Sequence, residues 1–145
     1  MTDISTFARP LRIVWLAVCA GAAIAIGVFG TLAASRTAPM PEHAETAFYV
    51  VALITMIGTG VAFALHRAME TRLMRAGSDA EAQGTVRLFG VAALAAAEVP
   101  ALASAVAAFL TGDLLTLAFV VPLFAFAWLT WPSDDRVMQW LAMRR

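Results

Sequence analysis

One carboxylate dominates the chemistry open to this sequence. Glu98 stands in Ala95-Ala96-Ala97-Glu98-Val99-Pro100-Ala101-Leu102, near the middle of an otherwise uncharged block from Leu88 to Gly112. An acid so placed has two uses: a neutral hydrogen-bonding contact between helices, or a site that binds and releases a proton or cation. No arginine or histidine lies inside any of the apolar blocks to neutralise it. The expected form is therefore a protonated acid that donates one hydrogen bond.

Other chemistries find no residues. His43 and His66 are the only histidines, and a whole apolar block separates them. They cannot jointly ligate a haem or a metal from such positions. Cys19 is alone, which excludes an internal disulfide and any Cys-x-x-Cys motif, and it reads as a small packing residue. Gly-rich phosphate loops and nucleophile elbows are absent. The expectation is a chain without enzymatic activity, cofactor or metal.

The elements that must position Glu98 follow from composition. Of 145 residues, 61% are hydrophobic and 14% charged, well away from a soluble domain's balance. The apolar residues gather into blocks at Ile13 to Ser35, Thr46 to Leu65, Leu88 to Gly112 and Leu114 to Ser133. About 20 apolar residues cross a hydrocarbon core of roughly 30 Å as a helix. The prediction is an all-α integral membrane protein, an up-down four-helix bundle forming one domain, with spans at about 13–35, 46–66, 88–111 and 114–132. The first span is expected to be retained, since its apolar block is longer than the 7–15 residues typical of a signal core.

Charge distribution orients the bundle. The net charge is zero, which gives no field for nucleic acid, and all ten basic residues are arginine. Arg9, Arg12, Arg67, Arg72, Arg75, Arg87, Arg136, Arg144 and Arg145 fall on one side of the predicted topology, and only Arg36 on the other. By the positive-inside rule both termini and the second loop are expected in the cytoplasm, with the chain in a bacterial inner membrane. After Pro132, Val137, Trp140 and Leu141 recur at helical spacing. They predict a short C-terminal helix lying on the cytoplasmic interface, or less readily docking on a partner. Trp15, Tyr49, Trp128 and Trp131 fall near span ends and read as an interfacial aromatic belt.

A partner face for Glu98 is also legible. Thr55, Gly58, Thr59 and Ala62 share one side of the second span, while Ala101, Ala105 and Ala108 continue the Glu98 side of the third. Small faces let backbones approach closely, which places Glu98 against Gly58 and Thr59. Pro100 frees the carbonyl of Ala96 and is expected to kink the third span, and Ser104 can satisfy a nearby carbonyl. Pro122 has the same effect in the fourth span. The short link Thr111-Gly112-Asp113 predicts that the third and fourth spans form the tightest hairpin, with Gly112 ending one helix and Asp113 capping the next.

From about residue 46 to residue 110 the chain resembles the helical hairpin of the rotary ATPase proteolipid, the ring-forming subunit c. The likeness lies in Met56-Ile57-Gly58-Thr59-Gly60 on one helix and Ala97-Glu98-Val99-Pro100-Ala101-Leu102 on the next, joined by a polar cytoplasmic loop. The resemblance implies a translocated proton or sodium ion bound at Glu98. From the residues themselves, the expected role is a non-enzymatic accessory or packing subunit, or a self-associating protein. Its expected partners are the lipid bilayer and either further copies or a larger membrane complex. Cation translocation through Glu98 is the rival.

Overall fold

A computed structural model describes residues 4–35 and 38–143, with side chains from Phe7 onward. Arg36, Arg144 and Arg145, counted in the charge asymmetry, lie outside the described residues. Five α-helices follow in order: α1 (Ile4–Ser35), α2 (Ala44–Leu73), α3 (Asp79–Thr111), α4 (Val121–Leu129) and α5 (Asp134–Ala142). Two 3-10 segments, Pro41–His43 and Leu114–Val120, precede α2 and α4. Helices α1, α2 and α3 are each long and apolar enough to cross a membrane.

Local chemistry sets the boundaries. Ser78 caps α3 by accepting from the amide of Glu81 at 3.2 Å, and the Glu81 carboxylate accepts in return from the amide of Gly77 at 2.8 Å. At the far end Gly112 takes φ +72°, a left-handed conformation that glycine reaches without steric cost, and its amide bonds to the Ala108 carbonyl at 2.8 Å. Asp113 then caps the next segment by accepting from the Leu115 amide at 3.0 Å.

Helix α3 is the axis. Half of its most apolar stretch is buried, against 11% for α1 and 17% for α2. Its small side chains explain this: Ala93, Ala97, Ala101, Ser104, Ala105 and Ala108 are all buried and admit neighbours on several sides. Helix α2 runs antiparallel to α3 on one flank. Helix α1 runs parallel to α3 on another, as Phe29 against Phe109 (centroids 5.6 Å) and Trp15 against Gly90 show. The backbones of α1 and α2 stay more than 8 Å apart between Cα atoms within the described residues. The most extensive packing is between α2 and α3. This corrects the expectation that the third and fourth spans form the tightest pair: a short link dictates proximity, but α4 is too short to match the interface that α2 offers along its whole length.

The fourth apolar block also departs from a plain helix. Leu114–Val120 is 3-10, and only Val121–Leu129 is α-helical. Pro122 has no amide hydrogen to donate to Ala118, and the Val121 amide takes that carbonyl instead, in the tighter 3-10 pattern. The Thr116 hydroxyl anchors the segment, donating to the Asp113 carbonyl at 2.7 Å and lying 3.3 Å from the Ser104 carbonyl of α3.

Helix α5 turns away from the preceding segment by 72°. Ser133 caps it, and Asp134 and Asp135 fill the first turn, where carboxylates favour the helix dipole. Helix α1 clasps the elbow. Arg12 donates through Nε to the Pro132 carbonyl at 3.0 Å and through Nη2 to Asp134 Oδ1 at 2.7 Å. Trp15 donates through Nε1 to Thr130 Oγ1 at 3.3 Å.

Charge collects at the two ends of the molecule. Arg12, Arg67, Arg72, Arg87, Arg136, Asp134 and Glu70 share the end where α5 lies, and Glu42, Glu45 and Asp113 occupy the other. Between them the exterior is apolar, with Ile24, Leu53, Met56, Ile57, Leu88, Val99 and Trp128 all exposed.

Candidate functional site

The site is built on α3. Glu98 is half-buried, and its Oε1 lies 4.0 Å from where a side chain would start at Gly21 of α1. It is also within electrostatic reach of Cys19 on the same helix. It therefore faces α1. The sequence placed it against Gly58 and Thr59 of α2, and the structure corrects this. Gly58 instead meets Pro100 and the Ala96 carbonyl: a methyl group there would lie 2.7 Å from Pro100 Cγ and 2.9 Å from Ala96 O. Helical geometry gives the reason. Ala96 and Pro100 are four apart and share a face, whereas Glu98 sits between them in sequence and about 200° around the helix. The side presented to α2 is the proline side, and the acid turns to the opposite flank.

The remaining predicted site residues divide accordingly. Thr55 is buried at the α2–α3 seam and returns its hydroxyl to the Val51 carbonyl at 2.8 Å. Thr59 is half-buried on the same helix. Ser104, fully buried, donates to the Ala101 carbonyl at 2.8 Å, while its own carbonyl takes the Thr116 hydroxyl. Pro100 is buried inside an α3 that continues through it. Gly58, Thr55, Pro100 and Ser104 thus support α3 as a whole. None of them reaches the carboxylate.

Within the described residues Glu98 makes no hydrogen bond. Around it the flank formed by α1 and α3 is open. Ala17, Ala20 and Gly21 on α1 and Ala95 on α3 are exposed, small, and close to the acid in sequence register. A second helix can approach this flank to backbone distance and meet the carboxyl group. Gly21 is the functional neighbour that sequence reasoning overlooked. The available signal was the Gly21-Ala22-Ala23 run at mid-block, matched in depth to Glu98 when α1 and α3 run parallel.

A second polar cluster sits at the arginine-rich end. His66 Nε2 lies 3.9 Å from Glu70 Oε1, and its ring meets Phe126 and Trp140 edge-on at 6.2 Å. This joins α2, α4 and α5. The ring of Trp15, expected in an exposed aromatic belt, is instead 1% exposed, because Gly90 of α3 leaves a notch that it fills. Tyr49 and Trp128 do stand exposed. No group of three or more metal-ligating side chains occurs among the described residues. No family model, curated protein or solved structure matches the chain.

Proposed function

We propose that the chain is a polytopic protein of a bacterial inner membrane, crossing it four times as an up-down bundle. Its role is that of a non-enzymatic packing subunit that associates through the α1–α3 flank. The observation that carries the association is Glu98: half-buried, without a hydrogen bond among the described residues, and beside exposed small residues on two helices. A carboxyl group left so in hydrocarbon costs several kcal/mol, which a hydrogen bond to a neighbouring helix relieves.

The membrane reading is supported by the apolar waist between two charged ends. An exposed apolar surface of that extent is untenable in water. The fourth crossing is supported by its unusual backbone. Seven residues in 3-10 geometry rise about 2.0 Å each and nine in α-geometry about 1.5 Å, so 16 residues reach about 28 Å, close to the roughly 30 Å core. The same residues as pure α-helix would fall short. With nine of ten arginines on one side, reporter fusions after Arg145 and between Arg72 and Gly84 should both score cytoplasmic. A periplasmic score at either position removes the four-crossing topology.

Glu98→Gln and Glu98→Leu test the association. Glutamine keeps a donor and an acceptor, so oligomer yield in detergent should hold. Leucine removes both and should weaken assembly by about 1–2 kcal/mol, the range for interhelical polar contacts. Equal assembly of both variants and the parent would sink the proposal. The openness of the same flank favours one rival, translocation of a proton or cation. In that case glutamine preserves assembly but abolishes transport, and dicyclohexylcarbodiimide labels Glu98 less as pH rises.

A further inference from the structure

Between α2 and α3, at the end of the molecule that carries Glu42 and Asp113, runs a groove of about 600 Å³. Its walls include His43, Thr46, Ala47 and Ile54 on one side and Val99 and Ala103 on the other. The close approach of Gly58 to Pro100 ends it below, at the depth of Glu98, and the Met40 amide bonded to the Leu110 carbonyl at 2.8 Å bridges its upper end. We infer that this groove holds one acyl chain of a zwitterionic phospholipid whose head group carries a primary ammonium. The inference rests on the membrane orientation proposed above.

Three observations select that occupant. The first is length. From His43 to Ile54 the α2 wall spans about 16 Å at 1.5 Å per residue, which is one leaflet's half of the roughly 30 Å core. The second is width. Spread over that length, 600 Å³ gives a narrow, elongated slot open along one side. An extended hydrocarbon chain fills such a slot along its length, whereas a helix from a second copy would enter it only by its side chains. The third is the mouth. Glu42 Oε1 lies 3.7 Å from His43 Nε2, so one carboxylate and one imidazole stand together where the groove meets the interface.

That pair matches a zwitterion. Glu42 takes the ammonium, while His43 and the Thr46 hydroxyl face the phosphate. An anionic head group would set its net charge beside three carboxylates, Glu42, Glu45 and Asp113, against the single arginine, Arg36, that the sequence assigns to this side. A quaternary choline cannot donate a hydrogen bond to Glu42.

The test uses full-length protein in nanodiscs of equimolar phosphatidylethanolamine, phosphatidylglycerol and phosphatidylcholine, extracted gently and weighed by native mass spectrometry. One phosphatidylethanolamine per chain should be retained, favoured about fivefold over each competitor, the weight of one exposed charge-assisted contact. Ala103→Phe and Ala47→Phe, which fill the slot from opposite walls, should each remove that adduct, whereas Ala92→Phe, on the same side of α3 but below the closure at Pro100, should not. Glu42→Gln should keep a lipid but erase the preference over choline. Thermal melts of the variants by circular dichroism identify any that misfold, and one slot-filling variant that folds suffices.

Indiscriminate retention, or an adduct that survives both slot-filling changes, overturns the inference. So do disulfide-linked dimers formed efficiently through Val50→Cys and Val106→Cys, which would put a second copy in the groove. Alkaline carbonate extraction separates the two layers of argument. A chain released by carbonate defeats membrane embedding itself, whereas an embedded chain without lipid preference defeats only the groove assignment.

Discussion

Gly58→Ala should destabilise the protein by about 1–3 kcal/mol, the usual cost of overfilling a close-packed interior. The added methyl would lie 2.7 and 3.0 Å from two ring carbons of Pro100 and 2.9 Å from the Ala96 carbonyl oxygen. Neither partner can swing aside: one is a ring closed onto the backbone and the other is backbone. Helices α2 and α3 must therefore separate along their longest shared interface, and they lose dispersion contacts in doing so. In lipid such contacts supply most of the attraction, because water no longer drives apolar faces together. Gly60→Ala is the internal control. Nothing lies within 4 Å of its added methyl, so the better helix former should be neutral or stabilise by about 0.5–1 kcal/mol. Unfolding in detergent titrated with dodecyl sulfate, followed by circular dichroism, measures both. Indistinguishable curves for the two variants would falsify the close approach at Pro100.

Trp15→Ala should cost about 3 kcal/mol, the lower end of the range for emptying a tryptophan site in a core. In the proposed membrane setting the lower end applies, because the ring leaves one apolar medium for another and the loss is chiefly that of packing around the void. The indole fills the notch at Gly90, approaching within 3.1 Å of where a methyl there would sit, with the Met69 sulfur close by. Trp15→Phe separates packing from polarity. It forgoes the bond to Thr130, whose hydroxyl still donates to the Phe126 carbonyl at 2.7 Å, and the indole tip that reaches the Gly90 notch, so about 1–2 kcal/mol should be lost. The same titration reads both variants. An alanine variant as stable as the phenylalanine one would show that the indole is not part of the core.

These two sites also show what the sequence made legible and what it hid. Thr55, Gly58 and Ala62 could be named as one small face of α2, and Thr55 and Ala62 are buried against α3 as that face requires. The spacing of small residues carries this information directly. The partner face was misjudged because both Pro100 and Glu98 sit at mid-block, and a hydropathy profile does not record azimuth. Two residues along a helix are about 200° apart, so the proline took the seam and the acid the opposite flank. Trp15 eluded the reading for a related reason. A tryptophan near a span end has one signature whether it meets lipid or fills a notch, and the notch is Gly90, 75 residues away. The 3-10 character of Leu114–Val120 was hidden because any apolar run satisfies a hydropathy window. Pro122 was visible, but its effect depends on Thr116 anchoring the segment to α3.

The clasp of Arg12 and Trp15 on the Pro132–Asp134 elbow has a consequence for how the chain is made. Trp15 is synthesised early, yet its hydrogen-bond acceptor lies 115 residues downstream, and Arg12 waits longer still for Asp134. In the proposed membrane topology α1 enters the bilayer as a solitary segment, a state its composition tolerates, since little of it is buried even at the end. The closing contacts form only once Thr130 to Asp134 have left the ribosome, which makes that elbow the latch between α1 and the segment from α4 to α5. They also close the described helices into a circuit, with α1 and α5 joined at one face. With four crossings, a linker between the two ends and a new opening in the loop at Gly77 would keep every crossing in its original direction. With three crossings the ends would face opposite compartments, and no such rewiring could be drawn.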